Sequence, residues 1–235
     1  MIIIEYFCGM KYLDFENVIS STRMNRYLIA CNRDTRKAMM LYRLNLRLSQ
    51  EMFTIISCFE VALRNSIDLH YTSRHGQHWL RDSHLSGGMF DNHRCRNTKR
   101  VITKSYNRLT RYFHSKLLAE LDFGFWRYLF AQPQYYAGGQ SLLAVFPLRP
   151  RSSRQIQYNQ TYIYNELKLI NDLRNRIAHH EPVCFRSRSQ IIDSTYIREN
   201  HALLIKLFSW MGIDANELLY GLDHIDKLII QLDTL

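Results

Sequence analysis

The sequence predicts an all-α fold, a single domain over residues 1–235 built as a helical bundle with loop elaborations. Two observations carry this. Apolar residues recur at steps of three and four over long stretches, the period of amphipathic helices. Nine Gly and four Pro in 235 residues leave few of the punctuation points that a turn-rich fold needs. The length and an apolar share of 46% suffice for one sizeable core.

In chain order, residues 1–13 carry no clear pattern and are expected to form an arm or a short strand. Val18, Ile19, Met24, Tyr27, Leu28 and Cys31 predict a first helix from Phe15 to about Cys31. Asp34-Thr35 can start the next, over about 35–71, with Met39, Met40, Leu44, Leu48, Met52, Ile55, Ile56, Phe59, Ala62, Leu63 and Ile67 on its apolar side. A periodic stretch of that length is a scaffold helix or two helices meeting at a kink. Residues 72–94 hold His75, His78, His84 and His93 among Ser, Gly and Asp. Their spacing fits no zinc or iron pattern, so an exposed loop and no metal are expected. Helix resumes over 97–121, with Val101, Ile102, Leu109, Phe113, Leu117 and Leu121 on one side. Arg100, Lys104, Arg108 and Arg111 run along another face, a cationic stripe that can follow a phosphate backbone. The aromatic block Phe123–Phe130 reads as core. Residues 131–160, with Pro133, Pro147, Pro150 and Gly138-Gly139, are the most loop-like, and their Arg149, Arg151 and Arg154 lead into the next helix. Two amphipathic helices near 191–211 and 214–232 read as packing or dimerisation elements.

The helix between these regions holds the densest chemistry. Ile163, Leu167, Ile170, Leu173 and Ile177 keep helical spacing, and Pro182 ends the run because it lacks an amide hydrogen and disfavours helical geometry before it. Arg174, Asn175, Arg176, His179 and His180 thus fall in the last two turns. Asn175 and His179, four apart, share a face, and Arg174 lies about 100° round from Asn175. A histidine moves protons near neutral pH, and an arginine offsets charge on a phosphorane. Cations in a last helical turn also simply favour the negative end of the helix dipole.

Totals narrow the function classes. A net charge of +10 and a pI near 9.5 suit a polyanion such as nucleic acid better than an acidic small molecule. Five cysteines, odd in number and without a C-x-x-C pair, fit a reducing compartment and neither a disulfide framework nor a zinc site. The Met1-Ile2-Ile3-Ile4 run is too short for a secretory segment, and no stretch approaches the roughly 18 apolar residues that span a membrane. A soluble cytoplasmic protein without a cofactor is expected.

Arg174-Asn175 followed by His179 is an R-x4-H pattern that resembles the signature of HEPN ribonucleases. More narrowly, Leu173–Val183 (LRNRIAHHEPV) resembles the C-terminal motif of the Abi-like, abortive-infection family of HEPN proteins. Leu41–Ser49 and Phe59-Glu60-Val61-Ala62-Leu63-Arg64-Asn65 resemble the family's N-terminal helix, in which Tyr42 and Asn45 stand as an aromatic-x-x-Asn pair. Phe123–Phe130 resembles its central FGFW segment. The blocks come in the family's order and cover about residues 14–230. The resemblance implies a HEPN-like bundle and metal-independent RNA cleavage to 2′,3′-cyclic phosphate and 5′-hydroxyl ends, in phage defence or as the toxin of a toxin–antitoxin pair. It implies His179 for proton transfer, Arg174 for the phosphate, Asn175 as an orienting group and His180 as a backup. Glu60, Arg64 and Asn65 would support them from the scaffold helix, although Glu60 and Arg64 also have the spacing of a helix-surface ion pair. Arg176 would bind RNA more peripherally, and Arg186 and Arg188 add positive charge beyond the motif. The implied partners are RNA as substrate or structured regulator, a second copy of the chain, and an antitoxin. The alternative is a catalytically silent HEPN module that binds RNA or a protein.

Overall fold

The structure, a computed structural model, describes residues 9–235. The N-terminal eight residues, and with them most of the expected arm, lie outside the described residues. Every regular element among the described residues is helical apart from one antiparallel bridge, Phe185 to Ile192.

The first expected helix is two. Helix α1 (Tyr12–Ile19) stops at Ser20, whose φ of 86° lies outside helical space, and the Ser20 hydroxyl then accepts the Arg23 N–H at the start of α2 (Ser21–Ala30). One residue both breaks one helix and caps the next. Asp34 starts α3 (Thr35–His75) by accepting the Arg36 and Lys37 N–H groups, both at 3.0 Å. At 41 residues, α3 runs about 60 Å without interruption. Leu41, Leu48, Met52, Ile55, Phe59, Leu63, Ile67 and Tyr71 line its buried row.

Residues 72–94 are not an exposed loop. They include α4 (Trp79–Asp82), and Trp79, Leu80, His84 and Phe90 are buried. The Trp79 indole N–H donates to Asp68 on α3 at 2.7 Å, and His114 Nε2 lies 2.7 Å from the same oxygen. Tertiary packing of one tryptophan and one phenylalanine overrides a polar local composition.

The helix expected over 97–121 ends early. Helix α5 (Arg96–Asn107) is followed by an irregular stretch and by α6 (His114–Ala119). Arg111 therefore leaves the stripe, its guanidinium 5.1 Å from the Phe113 ring centre. Asp122 caps α7 (Phe123–Tyr128), whose Phe123, Phe125 and Trp126 are core. Residues 131–160 are less loop-like than their prolines and glycines suggest. They hold α8 (Gln132–Ala137), with Pro133 in its first turn, and a 3-10 turn at Leu142–Val145. Helix α9 (Gln160–Ala178) carries the motif, and α10 (Thr195–Trp210) follows. The expected last helix is split by the Gly221 turn into α11 (Ala215–Leu218) and α12 (Ile225–Asp233).

Chain contacts divide into two compact units. The first takes residues up to Met52 with Arg176–His201 and Asp223–Leu235. Its core is aromatic at one end, where Tyr27 meets Tyr42 and Phe185 edge-on, each with centroids 5.1 Å apart. The second takes Phe53–Asn175 and Ala202–Leu222. There Phe59 packs against Phe208 at 5.2 Å and Phe123 at 6.2 Å.

Candidate active site

The end of α9 explains why the two histidines stand where they do. His180 has a φ of 56°, its N–H reaches the Ile177 carbonyl, and the Glu181 N–H reaches the Arg176 carbonyl, both at 2.9 Å. That bond pair is the Schellman closure, with His180 in the left-handed position that glycine usually takes. Pro182 follows where the chain must leave the helix. His179 is thus the C-cap, and both imidazoles are exposed. Replacing His180 with Gly is expected to raise stability by about 1 kcal/mol by removing the Cβ penalty of that conformation. A lower denaturant midpoint for this variant would refute the strain.

In the second unit, α9 brings Arg174 to face α3. Its Nε is buried and has no hydrogen-bond partner among the described residues. Glu60 lies across from it. Burial pushes the Glu60 carboxyl above the usual carboxylate range, the Arg174 guanidinium pulls it back, Asp122 raises it, and Arg64 and the Phe123 N–H lower it. Glu60 and Arg64 do not form the ion pair that their spacing allows, although Arg64 still acts on the Glu60 carboxyl electrostatically. Arg64 instead leans on its neighbour, Nε to Asn65 Oδ1 at 3.4 Å. Glu60 and Arg174 therefore belong to one electrostatic cluster with Arg64 and Asp122, while Asn65 and Asn175 are exposed.

In the first unit, Asn45 organises the chain after the motif. It is 4% exposed, and its Oδ1 accepts the Val183 N–H at 2.8 Å. With Tyr27, Tyr42, Arg23, His180 and Glu181 it lines a cavity of about 30 Å³, room for about one water. Arg23 donates to the His180 carbonyl at 3.1 Å. Arg23 was not among the expected site residues, and Asn45 was expected only as half of the aromatic-x-x-Asn pair, without a role. Asn45 had a signal: it occupies the apolar row of Leu41, Leu48 and Met52, where a lone amide requires a buried partner. Arg23 had none, because its partner is 157 residues away. Asn45→Ala is expected to cost about 1–3 kcal/mol, since the Val183 N–H loses its acceptor in a buried place. An unchanged urea midpoint would remove Asn45 from this role. Cys184, next along, is no nucleophile: burial pushes its thiol up to about 12, which keeps it protonated.

The remaining cations divide. Arg176 is engaged within the fold, 4.8 Å over the Tyr196 ring and 3.7 Å from Glu181. Arg186 pairs with Asp193 at 3.1 Å, and Arg108 lies 3.9 Å from Glu120. Arg100, Lys104, Arg151, Arg154 and Arg188 are exposed. Arg26, not among the expected cations, stacks 4.3 Å over Phe185 and donates through two nitrogens to the Ser189 carbonyl. Among the described residues, no three of His, Cys, Asp and Glu are grouped to hold a metal ion, and no helix is long and apolar enough to cross a membrane.

The family profile of Abi-like proteins matches residues 3–184. The chain belongs to the Abi-like family. The matched span holds the α3 blocks, the aromatic α7 and the whole motif, and it ends just past Pro182. Helices α10 to α12 of this Abi-like protein lie beyond it. Membership points to a part in abortive-infection defence. No match was found among curated proteins or among solved structures.

Proposed function

We propose that this Abi-like protein is a HEPN-type, metal-independent endoribonuclease that acts in phage defence or as the toxin of a toxin–antitoxin pair. The observation that carries the reading is the Arg174-Asn175-x3-His179 pattern inside the family match. It is joined by a guanidinium whose buried Nε has no hydrogen-bond partner among the described residues and by an exposed imidazole directly after the helix. The RNA 2′-hydroxyl attacks the adjacent phosphorus as its proton passes to a base. The bond to the 5′ oxygen breaks, and that oxygen takes up a proton. His179 supplies one of these transfers, and Arg174 stabilises the extra negative charge on the phosphorane. Asn175 orients the phosphate or the imidazole, and His180 is the second proton carrier within reach of the same motif. One copy supplies few groups for an acid–base pair, so two copies facing each other through their motifs complete the chemistry. The charge of +10 supports RNA as substrate or as a structured RNA antitoxin.

The exposed cations on and beyond α5 favour a second reading, a silent module that holds RNA. One experiment separates the two. Wild type and His179→Ala are expressed in a bacterial host, and growth and RNA ends are followed. Arrest with cyclic-phosphate fragments from wild type alone supports the nuclease. RNA bound intact by both purified proteins, without toxicity, supports the silent module.

A further inference from the structure

The second unit carries an open cleft of about 380 Å³ between α5 and the stretch from Glu120 through α7. That is within the range of small-molecule sites, roughly 300–1,000 Å³. Its α5 side presents Val101 and Lys104, with Arg108 just beyond; its other side presents Phe125 and Tyr128. Val101 is 42% and Tyr128 38% exposed, so apolar and aromatic surface faces solvent beside two cations. The cleft's two carboxylates are already engaged. Glu120 lies 3.9 Å from Arg108, and Asp122 accepts the Phe125 N–H as the cap of α7. Asp122 also raises Glu60, the same carboxyl that Arg174 pulls down. The cleft therefore borders the electrostatic cluster around Arg174.

We propose that this cleft is a subsite for one nucleotide of single-stranded RNA, its base against Tyr128 and Val101 and its phosphate at Lys104 and Arg108. The proposal rests on the reading that the protein acts on RNA, not on its being a nuclease. An aromatic face beside a cationic wall is the arrangement that holds an unstacked base and its backbone. A duplex fits poorly, because its bases are already stacked and unavailable to Tyr128. A protein segment would have no use for two cations in an apolar cleft unless it were acidic. Glu120 restrains the site by occupying Arg108, so its removal should strengthen RNA binding.

The test uses the full chain with His179→Ala to suppress cleavage, and a single-stranded oligoribonucleotide carrying 4-thiouridine. Ultraviolet cross-links should fall in peptides spanning 97–108 and 120–128. Tyr128→Ala should weaken binding about 10-fold by fluorescence anisotropy. Lys104→Glu with Arg108→Glu should weaken it further and flatten its salt dependence, and Glu120→Gln should tighten it. Circular dichroism melts check that each variant folds. Cross-links in these peptides support the subsite even where wild type cuts no RNA, which would sink only the nuclease reading. Cross-links elsewhere, with every variant within two-fold of the parent, overturn the subsite while a cutting wild type keeps the nuclease. A co-purifying protein that shields Tyr128, with no RNA affinity, overturns it in favour of a protein partner.

Discussion

On the proposed nuclease reading, His179→Ala is expected to slow RNA cleavage by about 10²–10⁴-fold, the usual worth of a positioned proton-transfer group. Arg174→Ala should cost about 10²–10³-fold, as the loss of one preorganised charge-stabilising donor does. The two should differ in what accompanies the loss. His179 is exposed, and the closing bonds of α9 come from the backbone of Ile177, His180, Arg176 and Glu181, so alanine there leaves the fold and its melting temperature intact. Arg174 has a buried Nε and faces a half-buried Glu60, so its removal leaves that carboxyl without its principal cation and shifts stability as well. Arg174→Lys separates the roles: it keeps the charge near Glu60 but loses the planar fork that grips a phosphate. Stability near wild type with cleavage still depressed is the expected pattern. Purified single-turnover kinetics beside thermal melts check it, and a His179→Ala protein that cuts RNA at the wild-type rate would remove the histidine from the mechanism.

Local chemistry made much of this fold legible and long-range pairing hid the rest. The apolar row of α3 runs through its core-facing positions, from Leu41 to Tyr71, because a helix buries the same stripe whatever it packs against. Asp34 and Pro182 mark helix ends by their own backbone and side-chain chemistry. Ser20 was harder: its hydroxyl suits a cap, but the positive φ that splits the first helix has no local cause in a residue that is not glycine. The stretch 72–94 misled because the partner of Trp79, Asp68, lies a full turn and more back on α3, and His114 completes the contact from beyond α5. The site divides in the same way. Arg174, Asn175 and the histidines are contiguous and readable. The support given by Glu60, Asp122, Arg23 and Asn45 comes from residues far off in sequence; the family resemblance pointed to Glu60 and the misplaced amide to Asn45, while Asp122 and Arg23 gave no sign.

The largest stability effect is expected at Phe59. It is fully buried on α3 and meets Phe208 edge-on at 5.2 Å and Phe123 at 6.2 Å. Three segments, α3, α7 and α10, thus converge on one ring. Phe59→Ala removes that ring's apolar burial and leaves a cavity which three packed helices cannot all close, for a loss of about 3–5 kcal/mol. The aromatic geometry adds to the loss, because each edge-to-face pair contributes beyond its area. Phe59→Leu keeps most of the volume and should cost far less, since volume-conserving apolar changes are tolerated. The neighbour matters for the proposed site: Glu60 is the next residue, and its electrostatic interaction with Arg174 depends on α3 holding its place. A destabilised Phe59→Ala protein should therefore lose cleavage through Arg174 geometry well below its melting temperature. Urea unfolding of the two variants measures the difference. Equal midpoints for Phe59→Ala and wild type would mean that the ring is not the keystone of the second unit.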